Sequence, residues 1–367
     1  MDYFKTYVSN TLAGSGNQHI FFPENPDAVY TGRVYYKVFA GGTYNYSLLF
    51  SNIIDSTYSN GAVSHANLVC DQWELVSASL GVAKVCSATV AEDPIEAFPL
   101  TFGGKTAKTV MPAEFFTSDP ISITCEKDDY LCLEVSYRGR MIPYHEESII
   151  PCFIRENGEW VRSKHAIFAG MIGCDRPVAL RVGYLGDSIT QGIGVAVNSY
   201  DHWNAVLSEN LGTDYAYWNL GLGFGRGHDA ASDGAWLFKA RQVDVITVCY
   251  GINDIREIHD VDIICGDLKY ITETLQKAGV KVVLQSVPPA DYTGEKLDMW
   301  NAINHRIRTE LAPIADYFFD VIPTISLDAD HPQNTPIGNC HPDAKGSGRW
   351  AAGLYPLMKD VTDKLRR

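Results

Sequence analysis

The chain is short of positive charge, long apolar runs and paired cysteines. Lys and Arg number 30 against 44 Asp and Glu, a formal net charge of −14. So acidic a chain is a poor partner for phosphate backbones or anionic lipid, and neither nucleic acid nor membrane is an expected partner. Residues 1–10, MDYFKTYVSN, have neither a basic start nor an apolar core. No secretory signal is therefore expected, and a cytoplasmic location is. No apolar run is long enough to cross a bilayer. The nine Cys are an odd number scattered without CxxC pairs, which suits reduced thiols better than a disulfide framework. Internal repeats and low-complexity linkers are also missing. What remains is a folded composition, 46% apolar and 20% charged, over 367 residues, enough for two domains.

The two halves have different rhythms. In residues 1–175, short runs rich in β-branched and aromatic residues stand between Gly, Pro, Asn and Asp. They are Arg33–Phe39, Tyr44–Phe50, Trp73–Ala78, Ala83–Val90, Ile121–Cys125 and Tyr130–Tyr137. Often alternating, and with no helical stripe between them, they predict an antiparallel sandwich or jelly roll. Residues 176–367 alternate strand and helix. Strands are expected at Ala179–Leu185, Tyr215–Leu220, Val243–Tyr250, Val280–Val287 and Asp316–Asp320. Helices are expected at Tyr200–Leu211, Ala230–Ala240, Val261–Ala278, Lys296–Leu311 and Gly348–Leu365. Continuous apolar strands alternating with helices predict a doubly wound parallel sheet, with its site at the carboxyl ends of the strands.

Three successive strands end in segments that could carry chemistry. The first gives Gly186-Asp187-Ser188-Ile189-Thr190, where a Ser just past a strand is placed as a nucleophile. It is not a GxSxG elbow, because Thr190 stands where the second Gly would be. The second strand leads into Asn219-Leu220-Gly221-Leu222-Gly223-Phe224-Gly225-Arg226-Gly227, whose glycines let backbone N–H groups turn toward an anion. A dinucleotide loop belongs after the first strand of its unit, so that reading is set aside. The third strand ends in Tyr250-Gly251-Ile252-Asn253-Asp254, and the Asn253 amide suits a developing oxyanion. Before the last helix stands Cys340-His341-Pro342-Asp343-Ala344-Lys345-Gly346, with His341 a candidate base and His331-Pro332 a competing pair. Nucleophile, oxyanion donors and base on one sheet edge are the minimum for acyl transfer. No cluster has metal-ligand spacing, so neither metal nor cofactor is expected.

These four blocks, in this order, resemble the SGNH (GDSL-type) hydrolase superfamily over Arg181–Leu365. The resemblance implies a flavodoxin-like catalytic domain. It matches Ser188 in GDSIT to the nucleophile, Asn253 in GIND to the side-chain oxyanion donor and His341 in HPDAKG to the base. The family's His-Pro is followed by Gly four residues after the Pro. That Gly is Gly346 for His341, whereas Pro336 occupies the place for His331. The family's glycine donor falls on Phe224 by counting from Asn219, with Gly223 and Gly225 beside it. The Asp that often stands three residues before the His is here Gly338. The triad acid would then be Asp328 or Asp330, or the site is a Ser–His dyad. The jelly roll before the hydrolase domain is similar to the domain order of certain carbohydrate esterases in this superfamily.

The resemblance and the domain order imply a serine esterase removing short acyl groups, acetyl above all, from a small-molecule or oligosaccharide ester. Asp187 and Trp203 are its candidate substrate contacts, Trp203 together with Trp218 and Trp236 being tryptophans near the motifs. A lysophospholipase or acyl thioesterase using the same machinery is the alternative, and a glycan-binding protein with an inert second domain a further one. A homo-oligomer is open. In the first domain Arg33, Asn52 and His145-Glu146-Glu147 are expected to be solvated or turn positions.

Overall fold

Alternating β-branched and aromatic residues pair as antiparallel strands throughout the first half of the chain. The structure, a computed structural model, describes residues 2–55, 58–59, 62–63, 67–146, 149–163, 165–167, 170–258, 260–328 and 341–366. It divides into two units, Met1–Pro177 with Val197–Ser199, and Val178–Ala196 with Tyr200–Arg367.

In the first unit one sheet runs Val8–Ser9, Met171–Cys174, Gly42–Ser51, with Phe115–Thr117 and Ile121–Cys125 both on Gly42–Ser51. The other runs Glu96–Pro99, Trp73–Ala83, Tyr130–Gly139, Tyr30–Lys37, Cys152–Glu156, Glu159–Arg162. Their apolar faces meet: the Trp73 ring of one sheet lies 6.4 Å from Phe116 of the other, and Phe116 stacks on Phe50 at 5.0 Å. The sandwich expected from the sequence is present.

Two expectations for this unit are corrected. Trp73–Ala78 and Ala83–Val90 are not two strands. One strand, Trp73–Ala83, carries Gly81 in register with both Cys132 and Ala97. Beyond Ala83 the Ser87 hydroxyl accepts from the N–H groups of Thr89 and Val90, closing a local turn in place of a ladder. Arg33, Asn52 and His145 are buried rather than solvated. The Arg33 guanidinium donates to Glu134 Oε2 and Asp93 Oδ1 and lies over the Trp160 ring at 4.3 Å. The Asn52 amide donates to the Asp71 and Met111 carbonyls and accepts from Trp73 Nε1 at 3.0 Å. Buried polar groups with complete partners hold strands in register. Glu147 lies outside the described residues.

The second unit is built on five parallel strands: Leu180–Gly186, Tyr215–Gly221, Val245–Cys249, Lys281–Gln285 and Tyr317–Phe319. Across the sheet they stand second, first, third, fourth, fifth, the flavodoxin-like order. Tyr215–Gly221 and Val245–Cys249 are buried at every residue, so both faces are covered. Helix Trp203–Leu211 packs on the closing helix Ala344–Leu365, with Trp203 stacked on Trp350 at 5.0 Å.

Several helices differ from expectation. The segment expected to be one helix, Ala230–Ala240, is two, Gly227–Ala230 and Ala235–Ala240. Asp233, at φ +57, turns the chain between them. The expected helix Lys296–Leu311 runs Gly294–Arg306 and finishes as a π-helical turn, Ile307–Leu311. Asn253 stands in the first turn of a short helix, Ile252–Glu257. Among the described residues no helix is long and apolar enough to cross a membrane.

Candidate active site

Gly186 stands level with Gly221 and Cys249 where the first three strands end. In this strand order the connections of the first and third strands diverge, which opens a crevice at their carboxyl ends. The chain leaves Gly186 into the short helix Ser188–Gln191, whose N-cap is Asp187. Asp187 Oδ1 accepts from the Ile189 N–H at 2.9 Å, so Ser188 is fixed as the first helical residue.

A buried amide network braces this helix from behind. Asn204 Nδ2 donates to the Thr190 carbonyl at 2.5 Å, and Asn219 Nδ2 reaches both the Gln191 carbonyl and Asn204 Oδ1 at 3.3 Å. Asn219 Oδ1 in turn accepts from the Gly221 N–H at 2.9 Å. Asn204 and Asn219 are thus positioning residues, and Asn204 was not singled out in the sequence. Its signal was an amide next to Trp203, Ala205 and Leu207 on the buried side of the helix.

The base comes from the far end of the chain. Ser188 Oγ lies 2.8 Å from His341 Nε2. Pro342 follows, and Asp343 caps the closing helix by accepting from the Gly346 N–H at 2.8 Å. The HPDAKG segment is therefore a rigid helix entry with His341 just outside it. Gly194 makes room for it: at φ +112, a Cβ there would sit 2.5 Å from the Pro342 carbonyl and 3.1 Å from His341 Cβ. Gly194→Ala is expected to push the imidazole off the Ser188 hydroxyl and to lower kcat by about tenfold or more, with KM less affected. Steady-state kinetics would check this, and an unaltered kcat would contradict the packing.

Burial lowers the His341 pKa below the ordinary imidazole value, and the positive charge of Arg256 adds to the effect. The ring is neutral at neutral pH, and Nε2 can accept a proton. His331 and Asp330 lie outside the described residues. Asp328 is half-buried, and its backbone carbonyl accepts from Ser326 Oγ at 3.1 Å.

The oxyanion candidates sit on the other two strand ends. Gly251 adopts φ +130, where a Cβ would meet Val287 at 2.5 Å, and helix Ile252–Glu257 begins directly after it. Asn253 lies in its first turn and donates from Nδ2 to the Gly225 carbonyl at 3.0 Å. An amide nitrogen carries two hydrogens, so a second donor is available. Asp254 accepts from the Gly227 and His228 N–H groups at 3.0 and 3.1 Å, tying the glycine loop to this helix. Phe224, where counting places the family's Gly, has φ +58, a conformation Gly adopts without cost. Gly225 is corrected as a donor because its N–H is taken by the Leu222 carbonyl at 2.9 Å. Among the described residues nothing accepts from the N–H of Ser188 or Gly223.

Both expected substrate contacts are corrected. Asp187 is buried, with its carboxylate turned inward to cap the Ile189 N–H. Trp203 is 1% exposed, between Trp350 and Tyr184. Trp218 and Trp236 are buried as well.

Residues 184–349, which contain Ser188, Asn253 and His341, match the GDSL-like lipase/acylhydrolase family. That match covers most of the second unit. The protein is a hydrolase of ester bonds, and along the chain the SGNH domain follows an all-β domain. No curated protein matches the chain. Similar solved structures include a protein described as lipolytic, of the G-D-S-L family, from Desulfitobacterium hafniense, at 18% identity and TM-score 0.42 over 48% of this chain and 98% of that one. A carbohydrate esterase of family 3 from Talaromyces cellulolyticus has 16% identity and TM-score 0.36 over 50% and 99%. A family two carbohydrate esterase from Cellvibrio japonicus has 12% identity and TM-score 0.40 over 98% of each chain. Likenesses this distant assign no substrate to this chain.

Two carboxyl groups of this hydrolase domain are shifted upward. Burial pushes Asp187 up to about 7, with the Asp254 charge adding to it, and Asp254 itself up to about 6. From about pH 4 to pH 7 native Asp187 keeps a proton that the unfolded chain has lost. The native state then binds more protons, so its stability falls as pH rises through that window. Tm is expected to be higher at pH 5.5 than at pH 8. The gap should narrow in Asp187→Asn, whose amide oxygen still caps Ile189. The same gap in both proteins would contradict the assignment.

Proposed function

We propose that the enzyme is a serine O-esterase that removes short acyl groups, acetyl above all, from carbohydrate esters. The Ser188 Oγ to His341 Nε2 distance of 2.8 Å carries the mechanism. Nε2 takes the Ser188 proton as Oγ attacks the ester carbonyl carbon. The Ser188 N–H, the Asn253 amide and an N–H from Gly223 or Phe224 receive the charge on the carbonyl oxygen. The tetrahedral intermediate collapses, and the leaving alcohol oxygen takes the proton from Nε2. Water then gives its proton to Nε2 and attacks the acyl-enzyme, and Ser188 regains its proton as the acid departs.

The exposed surface supports a short acyl group. Among the described residues of the second unit, the exposed large apolar side chains are Phe224, Ile263, Tyr270, Ile314 and Leu327. Of these Phe224 stands in the glycine loop and Leu327 next to Asp328, so among the described residues no continuous apolar strip is exposed at the site to cover a long acyl chain. The Phe224 ring, 38% exposed, adjoins the Gly225 carbonyl that Asn253 grips. An aromatic face open to solvent there suits stacking on a sugar ring. The test is kcat/KM on nitrophenyl acetate, butyrate and decanoate, with acetate release from a panel of acetylated oligosaccharides. Acetate is expected to be the best acyl group and acetate release to occur. Faster turnover of decanoate would favour the lysophospholipase or thioesterase reading instead.

A further inference from the structure

Helix Ile252–Glu257 carries Asn253 in its first turn and Arg256 three residues on. Residues three apart lie on one face of a helix, so the guanidinium leaves the same side as the Asn253 amide. Arg256 is exposed, and among the described residues no carboxylate or carbonyl pairs with it. Several other arginines of this unit are paired. Arg226 grips Asp229 with two hydrogen bonds, Arg306 reaches Asp262 and Glu310, and Arg308 reaches Asp320. In a chain with 44 acidic residues against 30 basic ones, a guanidinium with no counter-charge among the described residues beside the site has capacity for an anion from outside.

The side of the reaction it serves follows from the base. The charge of Arg256 is felt at His341. His341 Nε2 delivers its proton to the departing alcohol oxygen, so groups around this imidazole face the alcohol half of the ester. An anion seated on Arg256 would also offset a charge that opposes formation of the imidazolium as Ser188 attacks.

We infer that Arg256 is a specificity-determining residue, binding a carboxylate carried by the alcohol half of the substrate, as in an acylated sugar acid. The inference rests on the esterase reading of Ser188 and His341, with the sugar as the natural source of that carboxylate. A guanidinium can grip a carboxylate through two parallel hydrogen bonds, which Lys cannot reproduce.

The test needs no sugar. 4-Acetoxybenzoate and 4-acetoxybenzamide are acetate esters whose alcohol halves have the same shape, one anionic and one neutral. Their 3-substituted isomers extend the reach. The ratio of kcat/KM, anionic over neutral, is measured for the wild type, Arg256→Gln and Arg256→Lys on the pH plateau where His341 is neutral. Taking the better isomer, Arg256→Gln is expected to lower the ratio by about 10- to 100-fold, mostly through KM. Arg256→Lys should fall between. High salt should lower the wild-type ratio and leave that of Arg256→Gln almost flat. Equal ratios in the wild type and Arg256→Gln for both isomers would overturn the inference. An Arg256-dependent preference with no acetate released from any acetylated sugar would keep the anion site and defeat the carbohydrate reading. Acetate release from sugars with unresponsive ratios would do the reverse.

Discussion

Ser188→Ala is expected to reduce kcat for nitrophenyl acetate by about 10⁴–10⁶-fold, with Tm within a degree or two of the wild type. The loss follows from removing the oxygen that lies 2.8 Å from His341 Nε2. Losing a nucleophile of this type leaves only binding and oxyanion stabilisation to act. The fold should not notice. Ser188 opens a helix whose cap is the Asp187 carboxylate, and whose brace is the Asn204–Asn219 amide network. Neither involves the Ser188 hydroxyl. Circular dichroism and a thermal scan beside the kinetics separate the two effects. Retention of more than about a tenth of the activity would remove Ser188 from the reaction.

His341→Ala is expected to cost nearly as much, about 10⁴-fold or more in kcat. The double variant with Ser188→Ala should be no worse than either single one, because nucleophile and base act as a unit. The pH profile supplies a second reading. A protonated imidazole cannot accept the Ser188 proton, so wild-type kcat/KM rises with pH as His341 loses its charge. Burial and Arg256 hold that transition below the ordinary imidazole value. The acid limb should therefore lie below about pH 6.5 and level off above it. Residual activity in His341→Ala should lack that limb. A wild-type limb centred well above pH 6.5, or one that persists in the variant, would point to another base.

Parts of this site could be read from the chain because each lies just past an apolar strand or, for His341, just before the closing helix. Ser188, the glycine loop, Asn253 and His341 occur in the order that a doubly wound sheet gathers at one edge. The geometry then brings Ser188 and His341 within hydrogen-bond reach across 153 positions of sequence. Local pattern could not tell which way a side chain turns within such a loop. Asp187 reads as a polar group next to a nucleophile, yet it points inward to an orphan N–H. Trp203 reads as a platform near the motifs, yet its partner is Trp350 on the last helix, a pairing no local window contains. Arg33 and Asn52 depart from expectation for the same reason, since their partners lie on strands distant in sequence. Phe224 shows the opposite case. Counting from Asn219 put an aromatic residue where the family has Gly, and the backbone there takes the left-handed conformation that Gly would have supplied.

The central claim is that Ser188 is made nucleophilic by His341. Labelling with an organophosphate ester, followed by intact-mass and peptide analysis, tests it most directly, because only an activated serine displaces the aryl group at a useful rate. The account predicts one adduct per chain, located on the peptide carrying Ser188. It predicts none in Ser188→Ala and labelling at least about a hundredfold slower in His341→Ala. An adduct on another residue, or equal labelling of Ser188→Ala and the wild type, would contradict it.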